Sequence, residues 1–103
     1  MEKNYFKLED ISAYIIASEL SDYIHRVISR WHWFDKRTLG IQYLTAIDSI
    51  AGNIAEGFGR FHKKDKIKFY YNSRASVFES AHLTKRAKNR NLLKENEYNH
   101  ILG

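Results

Sequence analysis

Residues 47–58, Ile-Asp-Ser-Ile-Ala-Gly-Asn-Ile-Ala-Glu-Gly-Phe, decide the fold. Ile47, Ala51, Ile54 and Phe58 recur at steps of four, three and four, the spacing that stacks side chains along one face of an α-helix. Ser49, Asn53, Glu56 and Arg60 keep a similar rhythm on another face. A helix that only fills a core needs the first stripe, and its outer side is ordinarily a loose mixture of Lys and Glu. Short, hydrogen-bonding Ser and Asn in line with a Glu point to a second face that meets other protein or a ligand.

The flanking sequence continues the helical pattern in both directions. Upstream, Ile16, Leu20, Tyr23, Val27 and Trp31 form one seam, widened by Ile24 and Ile28, with Asp10 or Ser12 as candidate caps at its start. Trp31-His32-Trp33-Phe34 reads as an aromatic corner that plugs one end of the core, followed by Asp35 or Thr38 as the N-cap of the next helix. Gly57 sits where a helix C-terminus favours glycine. Downstream, Phe69, Ser73, Ser76, Ser80, Leu83 and Ala87 repeat at three-four spacing. Serines in such a seam permit close helix approach. Ile67, Tyr70, Tyr71, Val77 and Phe78 lie around the other sides, so this helix is expected to be contacted on more than one face. Leu92-Leu93 and Glu95-Asn96-Glu97-Tyr98 read as a turn and the start of a last, short helix. The expected organisation is a single all-α domain over 1–103, with helices at about 8–31, 37–57, 64–89 and 95–102.

Composition agrees with that reading. The chain has no proline and five glycines in 103 residues, too little turn punctuation for a β-rich domain. It has no cysteine, which excludes a disulfide framework and thiolate metal sites and fits a reducing cytoplasm. No apolar run approaches the ~20 residues of a membrane span, and the first residues lack the apolar region of a signal peptide, so a soluble, intracellular protein with no membrane role is expected. Charge is distributed unevenly. The formal net charge is +5, yet residues 60–94 hold eleven Lys/Arg against two acids, a local +9, while the remainder carries −4. Such asymmetry hints at an anionic partner, usually nucleic acid, although cation-rich helix surfaces are also common.

The segment Ser49-Ile50-Ala51-Gly52-Asn53-Ile54-Ala55-Glu56-Gly57 closely resembles the SIxxNIAEG signature of a bacterial four-helix-bundle family. That family includes the 23S rRNA intervening-sequence proteins and the accessory variability proteins of diversity-generating retroelements. Gln42, Phe69 and Tyr70, Ala75-Ser76 with Glu79, and Glu97-Tyr98 stand at further positions of the family's pattern, so the resemblance covers roughly residues 8–102. Ala75 replaces the usual Gly. The resemblance implies an antiparallel up-down bundle that assembles into a ring, a pentamer in studied members. It also implies a non-enzymatic role, as a basic scaffold for nucleic acid and for a protein such as a reverse transcriptase. Family members usually carry a full last helix. Here it spans one or two turns, which is expected to leave a groove lined by Leu83, Ala87 and aliphatics of the first helix.

Two groups of residues emerge as candidate sites. Ser49, Asn53 and Glu56, joined by Ser76 and Glu79, form a candidate polar interface between subunits, Glu79 facing Asn53 or Arg74. Glu56 is also within reach of Arg60 at i+4. Arg60, Lys63, Lys64, Lys66 and Lys68 at one end of the third helix, and Lys85, Arg86, Lys88 and Arg90 at the other, are candidate nucleic-acid contacts, about 30–35 Å apart at 1.5 Å per helical residue. Phe61 and Tyr70 are candidate stacking platforms for bases. His25, His32, His62, His82 and His100 include no i, i+4 pair, so neither a metal nor another cofactor is expected. No nucleophile and base are placed together, so no catalytic residue is assigned. The functional expectation is a non-enzymatic, oligomeric scaffold that binds RNA or DNA with weak sequence specificity. The alternative is a protein–protein adaptor that uses an exposed helix groove and has no nucleic-acid role.

Overall fold

Apolar periodicity of 3.6 residues requires helices that bury one face each, and the computed structural model consists of such helices. It describes Leu8 and residues 11–103, and among these it holds four helices and no strand. We label them α1 (Ser12–Ser29), α2 (Ile41–Gly59), α3 (Lys63–Asn89) and α4 (Glu95–Leu102). A single α turn, Trp33–Asp35, and a π-helical segment, Lys36–Gly40, lead without interruption into α2. The molecule is a rod of 53 × 22 × 21 Å.

The ends of the helices depart from the sequence reading in instructive ways. α1 begins at Ser12, with Ile11 at the N-cap position and no side-chain cap; Asp10 lies outside the described residues. The helix stops at Ser29 because Arg30 and Trp31 close tight i→i+3 bonds to Val27 and Ile28. The next N-cap is neither Asp35 nor Thr38. His32, extended at φ −62°, ψ 149°, accepts through Nδ1 from the Phe34 N–H, which places Asp35 and Thr38 inside helical backbone. The aromatic corner divides as well. Trp31 is buried and donates from Nε1 to Leu92 O at 2.9 Å, whereas Trp33 and Phe34 are exposed.

Gly57 has a different role from the helix cap that its position suggested. α2 continues to Gly59, and the chain leaves at an extended Arg60. A Cβ on Gly57 would lie 2.6 Å from Cε1 of Tyr70. The glycine is therefore the point at which α3 crosses close to α2. The buried face of α2 is rotated accordingly. Tyr43, Ala46, Ile47, Ile50, Ala51 and Gly57 are buried, while Ile54 and Phe58 are only half-buried at its edge.

The serine seam of α3 faces that surface. Ser73, Ser76, Ser80, Leu83, Thr84 and Ala87 are buried. Ser73 donates to the Ile50 carbonyl at 2.8 Å, which satisfies its hydroxyl by joining the two helices. Tyr43 is fully buried, 2.6 Å from the Thr84 hydroxyl. Thr84 donates its single proton to Ser80 O at 2.7 Å, so the tyrosine hydroxyl is the donor to Thr84. Burial pushes the Tyr43 phenol up from 10.0 to about 12. Leu83 and Ala87 lie in this core and line no groove, which corrects the sequence expectation.

α3 ends in a Schellman-type turn. Asn91, at φ 60°, takes the left-handed position, and Leu92 N–H reaches back to Ala87 O at 2.9 Å. α4 is then pinned by Glu97, 6% exposed. One of its oxygens accepts from the Lys94 N–H at 2.9 Å and the other from Arg30 Nη2 at 2.5 Å. α1 is tied to α2 where Ser21 donates to the Asp48 carboxylate.

Candidate nucleic-acid interface

The α2–α3 turn collects the first cationic cluster. It is built by the exit of α2 at Arg60 and the entry of α3 after an extended His62. Phe61 between them is 92% exposed, its ring packed edge-on against His62. Hydrophobicity favours burial of so large a ring, so its exposure in a short turn is unexplained by the core.

The cations of this cluster separate into two kinds. Lys66 is half-buried, and its Nζ donates to the carbonyls of Gly57 at 3.3 Å and Phe58 at 3.1 Å. It closes the C-terminus of α2, where a positive charge and a donor are both favourable. Arg60 pairs with Glu56 at 3.1 Å and lies over the Phe69 ring, 4.6 Å from its centroid. Lys63, Lys64 and Lys68 are exposed and make no ion pair among the described residues. Lys63 and Lys64 open α3, the end of a helix where its dipole repels cations. Asp65 is the acid in that first turn.

The second cluster is electrostatically less informative. Lys85, Arg86, Lys88 and Arg90 lie near the α3 C-terminus, where cations suit the dipole. Lys88 sits 4.2 Å from the centroid of the Tyr98 ring, and Arg86 is half-buried. Lys85 and Arg90 remain exposed and without ion pairs among the described residues. The side chains free to meet a phosphate backbone are thus Lys63, Lys64 and Lys68 at one end of the rod and Lys85 and Arg90 at the other. Tyr70 rests one edge of its ring on Gly57 and stays exposed on its other side.

The polar stripe of α2 does not form a network within one chain. Ser49 donates to Thr45 O and Asn53 to Ser49 O, both at 2.8 Å along their own helix, and Glu56 holds Arg60. Ser76 donates to Asn72 O at 3.2 Å, and Glu79 is exposed with no hydrogen bond among the described residues. Each group is satisfied locally or by solvent, and Glu79 pairs with neither Asn53 nor Arg74. Of the histidines, His25, His32, His62, His82 and His100 are all exposed, His100 lying 4.2 Å from the Tyr23 ring centroid. Among the described residues no three His, Asp or Glu are grouped to hold a metal, and no helix is long and apolar enough to cross a membrane.

One feature escaped sequence reasoning. Ile67, Tyr70, Tyr71, Val77 and Phe78, expected to be contacted, are exposed along one side of α3. Periodicity marks such residues as apolar, but not whether another helix is at hand to cover them.

A family model described as 23S rRNA-intervening sequence protein matches residues 9–103. No curated protein matches the chain.

Proposed function

Because the chain belongs to the 23S rRNA-intervening sequence protein family, we propose that it is a non-catalytic, self-associating accessory that binds RNA with weak sequence specificity. The observation that carries this reading is the α2–α3 turn: a nearly fully exposed Phe61 beside Lys63 and Lys64, which no carboxylate pairs among the described residues and which the helix dipole opposes. A phosphate backbone along the turn relieves both costs, and bases stack on Phe61. The family's name directs the nucleic acid towards RNA over DNA. Weak specificity follows because lysines contact phosphates without reading base edges.

The helices run up and down, each antiparallel to the next. Descending contact partners support this: Tyr43 meets Thr84, Ile50 meets Ser73, and the Gly57 carbonyl meets Lys66. In a ring of copies, both clusters repeat into positive belts at the rims, and Ser49, Asn53, Glu56, Ser76 and Glu79 offer polar contacts to neighbouring subunits. The cytoplasm is the compartment this reading assigns.

Fluorescence anisotropy with a labelled single-stranded RNA tests the proposal. We expect binding at low salt, with an affinity that falls linearly in log–log form as salt rises. Absence of binding at low salt rejects it. The exposed apolar side of α3 would then favour the second reading, a protein–protein adaptor without a nucleic-acid role.

A further inference from the structure

The end of the rod opposite the Phe61 turn carries another group of uncovered apolar side chains. Trp33 and Phe34 are 60% and 56% exposed, and Ile41 is 62% exposed. Their exposure follows from how the chain turns between α1 and α2. Trp31 takes the buried place there: its ring stacks on Tyr43, and its Nε1 donates to Leu92 O. His32 then caps the single α turn, and the π-helical segment carries the backbone into α2 with Trp33 and Phe34 left outside the core. Trp33, Arg37 and Ile41 recur at steps of four, and the Arg37 guanidinium lies over the Trp33 ring, 5.5 Å from its centroid. The bond from Trp31 to Leu92 also holds the α3–α4 turn at this end, and with it Arg90 and Lys94. α4 runs away from the corner along α1, from Glu97 at Arg30 to His100 at Tyr23.

We propose that this corner seats the rod end-on against an anionic lipid bilayer, with Trp33, Phe34 and Ile41 in the interfacial layer and Arg37, Arg90 and Lys94 against the headgroups. Three observations favour lipid. The first is position: the apolar side chains project from a turn at the tip of a 53 Å rod, where a flat surface reaches all of them together. The second is chemistry. The Trp33 indole N–H has no hydrogen-bond partner among the described residues, and a ring with one apolar side and one wet donor suits the boundary between headgroups and acyl chains. Ile41 offers no π face on which a base could stack, so the patch is more apolar than a single-stranded nucleic acid requires. The third is charge. Residues 30–37 and 85–97 hold eight Lys/Arg against three acids, and Arg37, Arg90 and Lys94 are exposed without ion pairs among the described residues. The lack of a helix fit to cross a membrane among the described residues concerns spanning a bilayer, whereas resting on one needs only exposed aromatics and cations. Contact at this end leaves the Phe61 turn free at the other.

Cosedimentation with vesicles of phosphatidylcholine and phosphatidylserine, set against phosphatidylcholine alone, tests the proposal. Wild type should bind the anionic vesicles and come off as salt rises. Emission from Trp33 should shift to the blue on binding, over a constant background from buried Trp31. Trp33→Gln with Phe34→Gln should lower partitioning at least about tenfold and remove the shift. Arg37→Gln should lower it about fivefold. All three side chains are exposed, so helicity by circular dichroism should match wild type. A double variant that loses vesicles and keeps its affinity for single-stranded RNA supports lipid at this end. Failure of wild type to bind anionic vesicles overturns the proposal, as does vesicle binding that the variants leave unchanged. A double variant that loses RNA and keeps vesicles assigns the corner to RNA and overturns it too.

Discussion

Replacing Lys63, Lys64 and Lys68 together by Gln should weaken binding to single-stranded RNA by roughly 50-fold near physiological salt. Each phosphate contact contributes about 0.7 to the slope of log affinity against log salt for a single strand, so losing three should lower that slope by about 2. The three lysines are exposed and tie no elements together, so helicity and melting temperature should hold or rise slightly as like charge leaves the helix N-terminus. Lys66 belongs outside the set. Lys66→Gln removes its bonds to the Gly57 and Phe58 carbonyls and should reduce stability more than it reduces the salt slope. Lys85→Gln with Arg90→Gln should produce a smaller loss than the triple change, because the dipole already accounts for cations at that end. Anisotropy titrations at several salt concentrations separate these cases. A triple variant with unchanged slope removes the α2–α3 turn from the interface.

Tyr43→Ala should cost about 3–5 kcal/mol, a large part of the ~5–15 kcal/mol that holds a domain of this size together. The ring is fully buried, is stacked 6.4 Å from Trp31, and stands between α2 and α3. Its removal leaves a cavity where α1, α2 and α3 converge. Tyr43→Phe should cost only about 1 kcal/mol, because Thr84 keeps its bond to Ser80 O and loses one donor. The pair also has a pH signature. With the folded phenol raised to about 12 from an ordinary 10.0, burial favours the neutral form. That contribution is fully present below pH 10 and is lost as pH climbs through 12. Urea unfolding from pH 9 to 12 should therefore show wild type losing stability more steeply than Tyr43→Phe across that window. Equal slopes would place the tyrosine in a wetter site than its burial indicates.

The sequence carried the framework because burial imposes a period that residues must obey. The stripe through Ile47 and Ala51 and the serine seam from Ser73 to Ser80 are legible on that ground. What was not legible depends on facing partners. Gly57 looked like a cap, since a glycine at a helix end has the same appearance whether it frees φ or admits the Tyr70 ring. His32 caps the helix although Asp35 is a stronger capping type in isolation. Lys66 looks like its neighbours in sequence because spacing shows charge, but not the carbonyls that a side chain can reach. The ridge from Ile67 to Phe78 read as contacted for a similar reason: a residue's hydrophobicity is local, while its covering is supplied by another element or another molecule. The candidate site was thus visible as a charged segment, and structure reduced it to three lysines, a phenylalanine and two cations at the far end of α3.

The placement of RNA on the α2–α3 turn is tested most directly by ultraviolet crosslinking of bound single-stranded RNA, with the modified residues identified by mass spectrometry. The account predicts crosslinks at Phe61 and in the flanking lysine-bearing peptide, with weaker ones near Lys85 and Arg90. Crosslinks confined to other surfaces, such as the exposed Ile15 and Ile16 of α1 or the Trp33–Phe34 corner, would contradict it.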